Sequence, residues 1–373
     1  MDGAPEVVPR FGYEVSMPVS GFKQYDYFDT VFRNSKGKEK QAPQLPCGIA
    51  VADSHCHLNM LDHPELALAR AAHYGFNFVC CLVDTAEPPS EDDGVLSAAQ
   101  AYEALAGWRA DARRILDEWG EGQVELPRVR FACGVHPHNA RYWDDAKDEL
   151  VELLKNPLTG CLGEIGLDYH YDFSPRDVQR EVFATQLRLA HETQLPVSLH
   201  LREAHDDALE ILRREGVPAA GCIVHCFNLD AEVLAPFVEL GCYIAFGGPL
   251  TFRKAYYTRA AAVHVPLDRL LTETDAPYMA PEPLRGTLCA PDHTLFTLRT
   301  LLDCFGYAGE ERALELLRPR AIDVENGAEP RPAGPIDFAR LQGGLDEAQF
   351  CNKVDANAVA LLDRAPTAWQ LGA

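Results

Sequence analysis

The stretch GCLGEIGLDYHYDFSPRDVQREVFATQLRLAHETQLPVSLHL, residues 160–201, decides the fold class. It contains a short apolar run at 160–167, an amphipathic segment at 175–193 and a second apolar run at 196–201. Short apolar runs of this kind predict buried strands, whereas apolar residues at helical spacing among charged ones predict a helix. The stretch is therefore predicted to form a strand, a helix and a second strand.

The same alternation continues on both sides of this stretch, from residue 48 to about residue 318. The predicted strands cover residues 49–52, 76–83, 129–135, 160–167, 196–201, 221–227, 242–246 and 270–274. Predicted helices between them include 64–73, 96–118, 144–154, 175–193, 205–215 and 229–240. Eight strand and helix repeats in roughly 250 residues are typical of a (β/α)₈ TIM barrel. The predicted fold class is therefore α/β.

The chain is predicted to have three parts. Residues 1–46 carry prolines, lysines and turn residues such as NSKGK at 34–38, which predicts a partly ordered N-terminal extension. Residues 47–320 form the predicted TIM barrel domain, in which the polar stretch 88–94 is a surface insertion. Residues 321–373 form a predicted C-terminal accessory segment, a helical tail packed outside the barrel with one or two short helices between 338 and 362.

Composition and charge exclude several classes of protein. With 47% hydrophobic and 24% charged residues, the chain resembles globular proteins rather than disordered or fibrous ones. No run approaches the roughly 20 apolar residues of a membrane helix, and residues 1–10 lack the pattern of a secretory signal. A cytoplasmic location without membrane contact is therefore predicted, and the twelve cysteines are expected to be reduced.

The net charge of −22 counts against tight, non-specific binding of duplex nucleic acid. It does not exclude a nuclease, because bound cations can reverse the potential inside one pocket.

Most candidate functional residues stand at the end of a predicted strand. In a TIM barrel, the C-terminal ends of the strands converge on one mouth, where active sites are built. The stretches concerned are DSHCHL at 53–58, GVHPH at 134–138, GEIGLDY at 163–169, PVSLHLR at 196–202, IVHCF at 223–227 and TETDAPY at 272–278.

One set of these residues is predicted to hold a first cation. His55 and His57 are two apart in extended chain and project to the same side. Glu164 lies in an apolar run, where an unpaired charge is costly, and its two oxygens could bridge two cations. Asp275 could hold the first cation and take a proton from the attacking water, with Glu273 in support. The alternatives are loop histidines, a Glu164–arginine pair and a turn or cap role for Asp275.

A second set is predicted to complete the site. His200 and His225 follow apolar runs at equivalent positions, which indicates ligands of a second cation rather than core histidines. Arg202 is a candidate to hold a phosphate oxygen, with a surface ion pair as the alternative. His136 and His138 offer two more imidazoles, of which one is expected to contact substrate or support a ligand, unless both have only a loop role.

In chain order these motifs, including ETDAPYMAP at 273–281, resemble those of the TatD family of metal-dependent deoxyribonucleases. The resemblance covers roughly residues 50–320. It implies a TIM barrel with two divalent cations, Mg²⁺, Mn²⁺ or Zn²⁺, that hydrolyses phosphodiester bonds of DNA.

The resemblance also assigns ligands by motif. The first cation would be held by His55, His57, Glu164 and Asp275, and the second by Glu164, His200 and His225. The chain departs from the family pattern at Leu201, Asn228 and Pro249, which lie at the pocket wall and bear on the choice of substrate.

The preferred hypothesis is a 3′-5′ exonuclease-like enzyme acting on single-stranded DNA ends, with Asp275 and Glu164 as catalytic residues and no obligatory protein partner. Flanking aromatic residues that could stack on bases are Tyr169, Tyr171, Phe227 and Tyr278. One alternative is an amidohydrolase-like enzyme acting on ester or amide bonds, many of which carry a modified lysine where Glu164 stands. Others are a deacylase of aminoacyl-transfer RNA and a metal-binding scaffold without turnover.

Overall fold

The structure, a computed structural model, describes residues 28–87, 95–319 and 336–372. The first strands form an antiparallel hairpin, β1 (Phe32–Arg33) and β2 (Glu39–Lys40). The next eight are β3 (Val51–Cys56), β4 (Phe76–Asp84), β5 (Arg128–Gly134), β6 (Thr159–Asp168), β7 (Val197–Arg202), β8 (Cys222–Val224), β9 (Tyr243–Phe246) and β10 (Leu270–Thr272). These eight pair in parallel, each with its neighbour in chain order.

The sheet closes between β3 and β10. The backbone N–H of His57 donates to the carbonyl of Ala276 at 2.7 Å, and that of Asp275 donates to the carbonyl of His55 at 2.9 Å. The Ser54 hydroxyl donates to the carbonyl of Thr272 at 3.0 Å. The predicted TIM barrel is therefore confirmed.

Helices alternate with the strands as predicted. They are α1 (Pro64–His73), α2 (Ala98–Glu118), α3 (Trp143–Leu154), α4 (Arg176–Thr193), α5 (His205–Glu215), α6 (Ala231–Glu239), α7 (Tyr256–Ala262), α8 (Thr294–Cys304), α9 (Glu310–Leu317), α10 (Phe338–Gln342) and α11 (Glu347–Leu362). Two of the predicted helices, 64–73 and 205–215, have the predicted bounds. None of the helices within the described ranges is long and apolar enough to cross a membrane.

Some strand ends differ from the prediction. The first barrel strand was predicted to end at residue 52 but continues to Cys56, so His55 lies within it. The sixth was predicted to end at residue 227 but ends at Val224, because the backbone turns into the left-handed region at Cys226 (φ +46°). The polar loop predicted at 88–94 and the proline-rich stretch before residue 336 lie outside the described residues.

The described part of the N-terminal extension packs on the side of the barrel. The Phe32 ring lies 5.0 Å from the rings of both Tyr74 and Phe296. Arg70, which is completely buried, forms an ion pair with Asp292 at 2.7 Å and donates to a backbone carbonyl of the extension, that of Asp29. Residues 28–46 are therefore attached to the barrel by specific contacts.

The C-terminal helix α11 closes the barrel at the N-terminal ends of its strands. Leu361 and Leu362 join a buried cluster with Phe78 of β4 and other strand residues. The side-chain amide of Asn357 donates to the carbonyl of Leu270 at 3.0 Å. The tail lies outside the ring of strands, as predicted, but it also completes the core beneath them, which the sequence pattern did not predict.

We expect the Phe350→Ala substitution in α11 to destabilise the fold. Phe350 is completely buried and contacts the rings of Phe305 and Tyr307 at 4.9 and 5.4 Å. Truncation of a buried phenylalanine costs about 3 kcal/mol or more. Urea unfolding followed by circular dichroism measures the change in the free energy of unfolding, with the exposed Lys353→Ala as control. A loss below about 1 kcal/mol would contradict a core role for this helix.

All twelve cysteines are free, and ten of them are buried. This agrees with the expectation of reduced thiols.

Candidate metal centre

Glu164 lies at the centre of the histidines and carboxylates gathered at the C-terminal ends of the strands. Its Oε2 lies 3.4 Å from Nε2 of His55 and 3.9 Å from Nε2 of His57. Its Oε1 lies 2.8 Å from Nδ1 of His200 and 2.8 Å from Nε2 of His225. A single buried carboxylate therefore has a different pair of histidines at each of its two oxygens.

Asp275 completes the group around Oε2. Its Oδ1 lies 3.7 Å from Nε2 of His55 and 3.6 Å from Nε2 of His57. We call His55, His57, Asp275 and Oε2 of Glu164 the first group. We call His200, His225 and Oε1 of Glu164 the second group. The structure thus brings all six predicted ligand residues together.

A buried aspartate that the sequence interpretation passed over holds the first group in place. Oδ1 of Asp53 accepts from the backbone N–H groups of His55 and Thr274, both at 3.1 Å, and Oδ2 accepts from the Thr274 hydroxyl at 2.6 Å. Asp53 therefore joins the end of β3 to the segment after β10, which carries Asp275. Its position inside an apolar strand, like that of Glu164, was the available signal.

Two further carboxylates orient the histidines of the second group. Oε1 of Glu273 lies 3.3 Å from Nδ1 of His225. Oδ2 of Asp168 lies 3.0 Å from Nε2 of His200 and 2.9 Å from Nε2 of His138. Each histidine that faces Glu164 in this group therefore has a second carboxylate behind it, an arrangement typical of metal-binding histidines.

Two glutamines of α4 fix the strand ends beneath this group. Gln179 accepts from the Asp168 N–H at 2.8 Å and donates to the Asp168 carbonyl at 3.0 Å. Gln186 makes the same two contacts with Val135, at 2.8 and 3.0 Å. The two glutamines lie seven residues apart, on the same face of the helix, and both are buried. Sequence reasoning missed them, although polar residues at helical spacing on an apolar face were a signal.

The structure places both predicted mouth histidines near the second group. Nε2 of His136 lies 3.7 Å from Oε1 of Glu164, and its Nδ1 accepts from the backbone N–H of His138 at 3.2 Å. The ligand atoms of His136, His138 and His200 all lie within 4.8 Å of one another. His138, however, faces Asp168 rather than Glu164.

Arg202 lies at the edge of the barrel mouth, outside both groups. Its guanidinium lies 4.6 Å from the centre of the Tyr171 ring. Two of the aromatic residues predicted to stack on bases have other roles: Phe227 is buried in the core, and the Tyr169 hydroxyl donates to Asp207 at 2.6 Å. Tyr171, which is half-buried, remains at the mouth beside Phe173, with which it stacks at 5.5 Å.

The charges in the centre depend on one another. Burial alone would lower the pKa of His200, but its hydrogen bonds to Asp168 and Glu164 raise that pKa to about 9. Burial would also lower the pKa of His225, but the charges of Glu164 and Glu273 raise it well above its usual value. Burial raises the pKa of Glu164, but the neighbouring histidines hold it well below its usual range. The centre therefore favours cations at the positions that face Glu164.

Several buried polar atoms of the centre lack a hydrogen-bond partner among the described residues. They are both ring nitrogens of His55, Nδ1 of His225, Oδ2 of Asp275 and Oε2 of Glu273. Buried polar atoms nearly always have a partner, so these atoms indicate a ligand. Imidazole nitrogens and carboxylate oxygens are donors that divalent metal ions accept. The residues of both groups therefore fit metal ions.

The family model described as TatD related DNase matches residues 52–314. This chain belongs to the TatD family. The match begins in β3 and ends in α9, so it includes every residue of the two groups. The hairpin β1–β2 and helices α10 and α11 lie outside the match in this TatD protein.

Three relatives illustrate the range of the family. The uncharacterized metal-dependent hydrolase YcfH of Escherichia coli (strain K12) is 39% identical over 242 residues, which cover 63% of this chain and 81% of the relative. The 3′-5′ ssDNA/RNA exonuclease TatD of Citrobacter koseri is 36% identical over 169 residues, 43% of this chain and 65% of the relative. The human 3′-5′ RNA nuclease TATDN2 is 31% identical over 272 residues, 72% of this chain and 33% of the relative.

Among solved structures, the crystal structure of YjjV, a TatD homolog from Escherichia coli K12, is similar with a TM-score of 0.56 and 24% identity. The similarity covers 84% of this chain and 98% of that chain, and it supports the fold. The family match and the relatives named metal-dependent hydrolases show that this TatD protein is a metal-dependent hydrolase.

Proposed function

We propose that this protein is a nuclease that removes nucleotides from the 3′ ends of single-stranded nucleic acid, and that DNA is its preferred substrate. The observation that carries the proposal is the position of Glu164, whose two oxygens each face one group of ligands. One buried carboxylate between two sets of ligands is an arrangement that suits two-metal hydrolysis of phosphodiesters.

In this proposal, each group holds one divalent cation, Mg²⁺, Mn²⁺ or Zn²⁺. Two such cations, when bound, polarise a phosphoryl oxygen and lower the pKa of a water molecule. Asp275 takes the proton from the attacking water, because its Oδ2 has no partner among the described residues while its Oδ1 faces His55 and His57.

His136 and Arg202 bind the phosphate in this proposal. Since Nδ1 of His136 accepts from a backbone N–H, the neutral ring carries its proton on Nε2, the atom that faces the second group. That N–H can donate to a phosphate oxygen, and the guanidinium of Arg202, at the edge of the barrel mouth, can donate to another. His138 is committed to Asp168 and so acts by orienting rather than by touching substrate.

The names of two relatives support a nucleic acid substrate. One is named a 3′-5′ ssDNA/RNA exonuclease and another a 3′-5′ RNA nuclease. Glu164 stands at the strand position where many amidohydrolases carry a modified lysine, which favours phosphodiesters over amides and esters.

We also propose residues 47–320 as the catalytic domain, with 1–46 and 321–373 as additions to it, in keeping with the family match over 52–314. The proposed location is the cytoplasm, where twelve free thiols remain reduced. No obligatory protein partner is part of the proposal.

The test uses a single-stranded DNA of about 20 nucleotides and an RNA of the same sequence, both labelled at the 5′ end. With Mg²⁺, Mn²⁺ or Zn²⁺ we expect stepwise shortening from the 3′ end, lost on addition of EDTA and restored by excess metal. If the folded, metal-loaded protein leaves both strands intact, the nuclease proposal is wrong. Esters, amides and aminoacyl-RNA then become the substrates to test.

We expect the Asp168→Asn substitution to lower the affinity for one of the two cations about 10- to 100-fold, the usual cost of losing a residue that orients a metal ligand. Oδ2 of Asp168 accepts from His138 and His200, and Oδ1 accepts from two backbone N–H groups. An asparagine amide has one accepting oxygen, so it cannot satisfy both sets. Isothermal titration with Mn²⁺ measures the change, with the exposed Asp172→Asn as control. Unchanged affinity for both cations would argue against an orienting role.

A further inference from the structure

We infer that the tip of the N-terminal hairpin and the loops after β9 and β10 form a basic rim that binds the phosphate backbone of the nucleic acid strand, away from the end being cut. The rim consists of Lys36, Lys38, Lys254 and Arg285. The inference rests on the proposed function and adds to it a path for the rest of the substrate.

Contacts join the three segments of the rim. The hairpin tip is closed by the Asn34 N–H, which donates to the Lys38 carbonyl at 3.0 Å. The tip reaches the loop after β10 at Gly286, where a Cβ would lie 3.6 Å from the Cβ of Ser35. The neighbouring Arg285 places its guanidinium 4.4 Å from the centre of the Phe252 ring, in the loop after β9.

The second of these loops is also tied to the first by a hydrogen bond. The Glu282 N–H donates to the Thr251 hydroxyl at 2.8 Å. The rim is therefore one continuous surface, although its segments are far apart in the sequence.

The four cations of the rim are exposed, and none of them forms an ion pair with a carboxylate of the described residues. On the opposite side of the mouth, by contrast, Arg176 is paired with Asp172, and Arg180 is paired with Asp207. Glu282 is the exposed acid of the loop after β10, so the rim keeps a net positive charge. In a chain of net charge −22, such a surface is where a polyanion meets attraction rather than repulsion.

Two neighbouring groups are not counted in the rim. Arg253 lines a cavity of about 880 Å³ together with Glu310 and Glu311, whose charges oppose its own. Glu39 of the hairpin lies 3.9 Å from Arg33, but Arg33 is paired more closely with Asp29, at 2.8 Å. The charge of Glu39 therefore opposes the neighbouring lysines, and the four cations of the rim still outnumber the two acids Glu39 and Glu282.

The rim lies at the same end of the barrel as the candidate metal centre. Asp275 follows the end of β10, and Arg285 lies further along the same loop before α8. A strand with its 3′ end at Glu164 and Asp275 can therefore leave the mouth over this loop and meet the hairpin tip. Lysine and arginine contacts to successive phosphates give salt-dependent affinity without regard to sequence.

The test compares two triple variants that remove the same charge from exposed cations, none of which forms an ion pair with a carboxylate of the described residues. The rim variant is Lys36→Gln with Lys38→Gln and Arg285→Gln. The control variant is Arg213→Gln with Arg340→Gln and Lys353→Gln, on α5, α10 and α11. For each protein with Mg²⁺, kcat/KM is measured on a 20-nucleotide strand and on a dinucleotide over a series of KCl concentrations.

We expect the rim variant to lose about 10- to 100-fold in kcat/KM on the long strand at low salt. The slope of log kcat/KM against log salt should fall by about 2, since each phosphate contact to a single strand contributes about 0.7. The dinucleotide is too short to reach the rim, so activity on it should not change. The control variant should match the wild type on both substrates.

Three other outcomes are distinguishable. If the wild type cuts both substrates and the rim variant keeps the wild-type salt slope and long-strand activity, the rim inference is wrong and the nuclease proposal stands. The rim inference is also wrong if the rim variant and the control variant lose the same activity, because the change in overall charge would then explain the loss. If the wild type cuts neither substrate, the nuclease proposal is wrong and the rim inference is overturned with it.

Discussion

Replacing Glu164 by glutamine is expected to lower kcat on single-stranded nucleic acid by about 10³-fold or more and to remove at least one bound cation. A metal ion contributes several kcal/mol to stabilising the charge of the transition state, and each 1.36 kcal/mol is worth a factor of ten. Glutamine has almost the same shape, but one of its two terminal atoms is an N–H donor that cannot bind a cation. Either the first or the second group must therefore lose its ligand.

Metal content measured by atomic emission, together with kcat, checks this prediction. The matched control is Glu210→Gln, an exposed glutamate of α5 that lies 3.3 Å from Arg180. Circular dichroism should show an unchanged fold, because removing a buried carboxylate charge does not create a cavity. A variant that retains two cations and a kcat within about tenfold of wild type would refute the bridging position of Glu164.

The barrel could be predicted from the sequence because its strands are buried on both faces. Such strands appear as nearly continuous apolar runs, for example Phe76–Asp84, which are easy to separate from the amphipathic helices between them. Strand ends were less predictable. After Val224 the chain remains rich in apolar residues, but its backbone turns at Cys226, and residue type alone does not reveal that turn.

The candidate ligands could be predicted because barrel topology brings all strand ends to one mouth. A histidine after one apolar run and a glutamate inside another must then lie close together, whatever their separation in the sequence. What topology does not determine is which helix face meets which strand. The contacts of Gln179 with Asp168, and of Asp53 with Thr274, depend on that packing and were found only in the structure.

The terminal segments were the least predictable parts. The sequence around Ser35 does not indicate that this residue contacts Gly286. The sequence around Leu362 does not indicate that this residue completes the core beneath the strands. In each contact at least one of the residues lies outside the family match, so the resemblance to the family did not predict either contact.

The Asp275→Asn substitution is expected to lower kcat by about 10²- to 10⁴-fold while the second group keeps its cation, since general base catalysis contributes a factor of that size. Asparagine keeps the carbonyl oxygen that can face His55 and His57, but it cannot take a proton from water. Metal content is measured for this variant and for Glu164→Gln, in which the ligand shared by both groups is changed.

The leaving group shows which proton Asp275 handles. If Asp275 activates the water, the loss of kcat should be about the same on a dinucleotide and on a p-nitrophenyl ester of thymidine monophosphate, whose leaving group needs no protonation. A loss on the dinucleotide that nearly disappears on the nitrophenyl ester would instead identify Asp275 as the acid that protonates the leaving oxygen. Because the two substrates share the same enzyme and the same cations, a difference between them cannot come from altered folding or metal loss.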